Sequence, residues 1–193
     1  MSERTQMYDW FARMLSYPTV YSNFEIQHSV FDIHHFEISN NEYRMRNVED
    51  YLQKFITEIS NLSITDLEEL YTRTFDINPI ASLEIGWHLY GEAYERGLFL
   101  VKMRELLRQH HVEESSELPD HLTHVLMVLG RMEKAHADEF AAKFVIPALN
   151  KILEGFQGNN QPYEHALVAL KSFIEQQHLS NQLDCKQGVE SHV

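Results

Sequence analysis

Apolar positions along the 193-residue chain recur every three or four residues far more often than every second residue, the spacing of helices that bury one face. The first stripe, Met7, Trp10, Phe11, Met14 and Leu15, follows Ser2, a residue suited to cap a helix start, and Tyr17-Pro18 ends it. A weaker, more polar stretch through about His35 reads as mostly helical. From Asn41 a clear stripe returns as Met45, Val48, Leu52, Phe55, Ile56 and Ile59. Thr65-Asp66-Leu67-Glu68 carries a capping-box signature for a short helix to about Thr72. Phe75-Asp76-Ile77-Asn78-Pro79 reads as a break, after which helix resumes near Pro79 and stops near Tyr90-Gly91, where glycine can cap a C-terminus.

A long helix is expected from about Glu92 to His110, apolar through Tyr94, Leu98, Val101, Leu106 and Leu107. Val112 to Leu118, containing Glu113, Glu114, Ser115, Ser116 and Glu117, is a polar linker and the best hinge candidate. Pro119 then opens a helix with Leu122, Val125, Leu126, Leu129 and Met132. Another is expected from about Ala137 to Phe156, kinked or broken at Pro147. After a turn at Gly158-Asn159-Asn160, the last helix starts near Pro162 and shows Tyr163, Ala166, Leu167, Leu170, Phe173 and Ile174. Beyond Leu179 the chain is polar and aperiodic. The expected fold is all-α: a single-domain bundle of about eight or nine helices with a hinge loop near 112–119. The domain would cover 1–179, with halves 1–111 and 119–179 joined by 112–118, and 180–193 would be a disordered tail.

Composition narrows the function. The formal charge of −13, from 29 acidic and 16 basic side chains, opposes nucleic acid and anionic lipid, both of which are bound through Lys and Arg. It would draw in a basic peptide, although it also serves solubility alone. The single Cys185 has no internal disulfide partner. No run approaches the roughly 18 apolar residues of a membrane span, and the first ten residues lack the apolar core of a signal peptide. A cytoplasmic location without stable membrane insertion is the resulting expectation.

Twelve histidines invite a metal hypothesis. Glu133-Lys134-Ala135-His136 has the Glu-x-x-His spacing of carboxylate-bridged di-iron bundles, which need a second copy and two more inward glutamates. Glu84 and His88 are four apart instead of three, and no second copy occurs. His121 and His124 share a helix face but lack cysteine partners or a His-Glu-x-x-His motif. His34-His35 and His110-His111 split across helix faces and read as solvated. No phosphate loop, nucleophile elbow or Cys-His arrangement is present. No metal site and no catalytic residue are therefore expected.

Glu117-Leu118-Pro119-Asp120-His121-Leu122 stands at the junction of linker and helix. On its own it reads as a helix start, with Asp120 placed to meet the helix dipole. Its setting adds more. Tyr71-Thr72-Arg73-Thr74-Phe75-Asp76, then Ser82-Leu83, His88-Leu89-Tyr90-Gly91 and Arg96-Gly97 precede it in order. With the Glu-x-Pro-Asp-His hallmark, this series, spanning about Tyr71 to Leu129, resembles the redox-enzyme maturation chaperones of the TorD/DmsD/NarJ type, the nitrate reductase delta-subunit group. Asn78-Pro79-Ile80 stands where some relatives carry a Pro-rich, Trp-containing stretch, a departure that leans toward the delta-subunit branch.

The resemblance implies a system-specific chaperone without turnover. It would bind the unfinished catalytic subunit of a molybdenum oxidoreductase at its N-terminal segment, a twin-arginine leader or its remnant. It would hold that subunit while molybdopterin guanine dinucleotide is inserted, binding no cofactor tightly itself, and would act as monomer or dimer. On this reading Asp120 and His121 carry the binding, Glu117 and Pro119 shape the hinge, and Phe75, Trp87 and Tyr90 are candidates for a groove wall. Each of those three aromatics fits a core position better. The competing readings are a helical metal-dependent oxidoreductase using Glu133, His136, His121 and His124, and a permanent accessory subunit of the mature enzyme.

Overall fold

A computed structural model describes residues 2–19, 42–156 and 161–187, with side chains described from Asn47 in the second helix and to Leu179 in the last. The weak stretch to His35, the His34-His35 pair and the turn at 158–160 lie outside the described residues.

Ser2 caps the first helix, α1 (Glu3–Met14), its hydroxyl accepting from the Thr5 amide at 3.2 Å. The expected stripe, with Tyr8 added, is buried. Next come α2 (Glu42–Ile59) and α3 (Ile64–Tyr71). The capping box of α3 lies earlier than the Thr65-to-Glu68 reading. Ser63 is the cap and Asp66 its partner, each side chain bonding the other's backbone amide. A π turn, Thr72–Asp76, prolongs α3.

The helix expected from Pro79 is only α4 (Ile85–Tyr90); residues 79–81 form a turn. Glu84 explains the late start, since it forms an isolated antiparallel bridge with His121. Gly91 ends α4 with φ +58°, as its capping role requires. The long helix α5 (Tyr94–Gln109) follows.

The buried face of α5 differs from the expectation. Leu107 is buried and Leu106 packs on the core as expected, but Phe99 and Met103 are buried with them, whereas Tyr94, Leu98 and Val101 are 79%, 54% and 58% exposed. Both sets keep helical spacing, so periodicity cannot tell which one meets the core.

Helix α6 (Leu122–Arg131) starts at Leu122, not Pro119, because His121 is its N-cap. α7 (Lys134–Phe140) runs through a second π turn (Ala141–Val145) into α8 (Ile146–Glu154). Pro147 has no amide to donate, and the helix absorbs this by widening instead of breaking. The Ile146 amide reaches back five residues to the Ala141 carbonyl. The last helix, α9 (Pro162–Gln187), continues well past Leu179, so 180–187 are helical where an aperiodic tail was expected.

Among the described residues the architecture is all-α, with no β-strand beyond the single bridge. Two helix pairs organise one core, α1 against α6 and α2 against α9. α1 and α6 approach closely at Gly130, where any side chain would come within 2.8 Å of the Tyr8 Cβ. Thr5 donates to the Gly130 carbonyl at 2.9 Å, and Arg131 grips Asp9 through two bonds of 2.6 and 2.8 Å. Phe173 of α9 joins the pairs by packing on Tyr8 and Phe11, with centroids 5.2 and 5.3 Å apart.

A buried hydrogen-bonded chain closes this seam. Asp138 accepts from His178 Nδ1 at 2.6 Å, which fixes the proton there, so His178 Nε2 accepts from the Tyr8 hydroxyl at 2.6 Å.

Candidate functional site

The Glu117-to-Leu122 segment is held against α4 by backbone. The Ile85 amide donates to the Asp120 carbonyl at 3.0 Å, and the Leu122 amide to the Leu83 carbonyl at 2.8 Å. These bonds flank the Glu84–His121 bridge, so the hallmark and the start of α4 form one unit.

Asp120 does not serve the dipole of α6. It is fully buried and turned toward α4, where Oδ2 accepts from the Gly86 amide at 3.0 Å. The close approach needs glycine. A Cβ on Gly86 would lie 2.5 Å from Asp120 Oδ2 and 3.0 Å from the Phe99 ring. Burial raises the Asp120 pKa, against the opposing pull of the Arg96 guanidinium. Asp120 Oδ1 and Arg96 Nε are both buried and lack a hydrogen-bond partner among the described residues. Arg96 lies over the Trp87 ring at 5.4 Å.

His121 points the other way. Its Nδ1 accepts from the Thr123 amide and lies 2.8 Å from the Thr123 hydroxyl. Burial pushes its pKa down to about 4, so the ring is neutral at pH 7. One ring nitrogen and one carboxylate oxygen each from Glu84 and Glu117 lie within 4.8 Å of one another. Burial raises the Glu117 pKa, helped by repulsion from Glu84 and then Asp76. Two carboxylates, Glu84 and Glu117, thus crowd one place beside His121, and Asp76 adds a weaker repulsion.

The linker is fastened down. His124, fully buried, donates from Nδ1 to the Leu118 carbonyl at 2.9 Å and accepts the Ser115 amide on Nε2 at 3.1 Å. Val112 is buried, and Arg104 pairs with Glu114 at 3.0 Å. His124 therefore has no nitrogen left to share a metal with His121 in this conformation.

Of the remaining candidates, Pro119 is buried beside Asp120. Phe75 is a core residue, packed on Tyr163 and Tyr71 with centroids 4.9 and 5.1 Å apart. Trp87 and Tyr90 are only half-buried. Trp87 donates to the Pro79 carbonyl at 3.1 Å, and Tyr90 packs on Phe99. Trp87 and Tyr90 thus keep part of their surface in solvent, and Phe75 does not.

Glu133 is the N-cap of α7, accepting the amides of Ala135 and His136, and both it and His136 are exposed. The Glu-x-x-His spacing thus marks an exposed helix start and does not form an inward ligand face. His88 sits against the Ser82 carbonyl at 2.7 Å, away from any pairing with Glu84.

Sequence reading missed Glu84 and Asp76 as members of the acidic group, and Gly86 and Arg96 as partners of Asp120. Gly86 lies 34 residues before Asp120 in the chain, and no local pattern joins them. It also missed the apolar rim. Ile77 and Ile80 are 71% and 65% exposed, and Leu118 is 44% exposed; Ile77 and Leu118 directly follow Asp76 and Glu117.

The described residues thus form an all-α bundle in which the Glu-x-Pro-Asp-His segment brings Glu117 and His121 against Glu84. Comparison with known proteins gives the family. The model of the nitrate reductase delta subunit family matches residues 41–181, and the chain belongs to that family. Two curated relatives, from Escherichia coli K12 and Escherichia coli O157:H7, are each named nitrate reductase molybdenum cofactor assembly chaperone NarJ. Each is 28% identical over 110 residues, covering 56% of this chain and 46% of the relative. The matched stretch is thus less than half the length of either relative. Both relatives are named for assembly and not for turnover. No helix among the described residues is long and apolar enough to cross a membrane.

Proposed function

We propose that this chain is a cytoplasmic assembly chaperone for the catalytic subunit of a molybdenum oxidoreductase, and that it grips the N-terminal leader of that subunit at the Asp76–Glu84–Glu117 surface. Leader arginines would settle among the three carboxylates, where charge-assisted bonds are strongest. The apolar part of the leader would lie over Ile77, Ile80, Leu118 and the exposed side of Trp87. Asp120 and His121 would act one layer below, fixing the strand-like contact that brings Glu84 and Glu117 together. Molybdopterin guanine dinucleotide goes into the client in this reading and is cargo, not a resident group.

The observation that carries the proposal is the meeting of Glu84 and Glu117, whose carboxylate oxygens lie within 4.8 Å of each other beside His121, in a chain of the nitrate reductase delta subunit family; burial and the neighbouring carboxylates raise the Glu117 pKa accordingly. Those carboxylates repel one another until a cation arrives, so a guanidinium gains more here than at an isolated acid. Calorimetry with a peptide copied from the N-terminus of a molybdoenzyme encoded beside this chain tests it. One-to-one binding is expected, weakened about five- to tenfold by Glu84→Gln or Glu117→Gln, roughly 1–1.4 kcal/mol each. Binding that ignores both substitutions, or no binding to the wild-type chain, removes this site from consideration.

A further inference from the structure

A second site of opposite character lies on another face. A cavity of about 340 Å³ opens between α5 and the α7–α8 rod, within the roughly 300–1,000 Å³ of small-molecule pockets. Leu106, Met132, Phe140 and Phe144 supply its apolar wall, and the last three are buried. Lys102 and Lys143 stand at one end, their ammonium groups 4.8 and 5.3 Å from the centroid of the same Phe144 ring. Both ammoniums thus lie against one ring, and neither lysine has an ion-pair partner among the described residues. That is unexpected in a chain of formal charge −13.

The wall has a direction. Lys102 meets Phe144, while Gln109 and His110 come about two turns later on α5, and Glu133 and His136 come before Phe144 on the rod. The cationic end is thus separated along the slot from the Glu133 end. Glu139 also lines the cavity, so a ligand's negative charge is favoured only at the lysine end. The second π turn, Ala141–Val145, carries both Lys143 and Phe144 and sets them at this end. Insertions of this kind re-aim side chains and recur at binding sites.

We infer that this slot binds a short apolar segment of a partner protein that carries a carboxylate, seated with its acid between Lys102 and Lys143 and its apolar side chains against Phe140, Leu106 and Met132. The inference is independent of the leader proposal, because it concerns a different face and the opposite charge. A carboxylate at this end would pair with ammonium charge that no acid among the described residues neutralises. A basic segment would be repelled by the same charge.

The probe is N-acetyl-leucyl-phenylalanine with a free C-terminal carboxylate, compared with its carboxamide. Each is titrated into the full-length ¹⁵N-labelled chain and followed by amide NMR. The acid is expected to shift resonances of α5 and of residues 132–144, and to bind at least fivefold tighter than the amide. In Lys102→Met/Lys143→Met the two ligands should bind alike, and each single replacement should give an intermediate preference. The singles leave one ammonium and the Phe144 ring in place, so they report even where the double variant folds poorly. No shift with the acid at about 10 mM, equal binding of acid and amide, a preference that survives in the variants, or shifts confined to the Glu84–Glu117 face would each overturn the inference.

Discussion

Replacing Gly86 by alanine tests how the hallmark is held together. Alanine is the better helix former by about 1 kcal/mol, so on propensity alone Gly86→Ala, within α4, should stabilise. The contact geometry predicts the reverse. The new methyl would sit 2.5 Å from Asp120 Oδ2 and 3.0 Å from Phe99, and both neighbours are buried. Overpacking of this kind costs about 1–3 kcal/mol. If Asp120 moves away, its bond to the Gly86 amide is lost as well, at about 1.5–3 kcal/mol for a charged acceptor. After subtracting the propensity gain, a net loss of about 1.5–5 kcal/mol remains. For a chain of this size that lowers Tm by roughly 3–20 °C. Thermal unfolding followed by far-UV circular dichroism reads this directly. Asp120→Ala removes the atom in the way, so Gly86→Ala/Asp120→Ala should be no less stable than Asp120→Ala alone. A Gly86→Ala chain that melts at or above the wild-type temperature, or two losses that simply add in the double variant, would refute the proposed contact.

Stability should fall on acidification. The His121 pKa is pushed down to about 4 by burial, and burial also lowers those of His88 and His178. Between about pH 6.5 and 4 the unfolded chain takes up protons that folded His121 refuses, which costs about 2 kcal/mol by pH 5. His121→Asn should flatten that part of a urea-unfolding series against pH; an unchanged slope would show that His121 is not the group responsible. Leader affinity should rise with pH through the raised Glu117 pKa, because only the carboxylate attracts a guanidinium, and calorimetry across pH 4.5–7 should lose this trend in Glu117→Gln. His124→Ala should release the linker at a cost of about 1–3 kcal/mol, seen as faster cleavage by a Glu-specific protease at Glu113, Glu114 and Glu117; wild-type cleavage rates would contradict the clamp.

Much of the helix order was legible because the core stripes keep a single spacing. Val48, Leu52, Phe55, Ile56 and Ile59 of α2 are buried as that spacing requires. Helix α5 carries two apolar stripes, and only packing against Phe144 and Tyr90 selects the one with Phe99. Boundaries moved where tertiary bonds override local signals. The Glu84–His121 bridge delays α4, one π turn extends α3 to Asp76 before the expected break, and the other carries the helix through Pro147, where a kink or break was expected. The hallmark was visible as a string of letters, yet its physics was not. Asp120 pairs with an amide from a distant segment, and the acidic surface combines Asp76, Glu84 and Glu117 from three separate stretches. The linker looked like a hinge because it is polar; His124, one turn into the next helix, fastens it.

The most direct measurement mixes the purified chain with a molybdoenzyme catalytic subunit prepared in two forms, one lacking cofactor and one complete, and determines stoichiometry by multi-angle light scattering. A one-to-one complex with the cofactor-free subunit, abolished by removing its N-terminal leader and absent with the complete enzyme, is the expected result. Equal retention by the finished enzyme would identify a permanent subunit, and failure to bind the cofactor-free form would contradict the chaperone assignment.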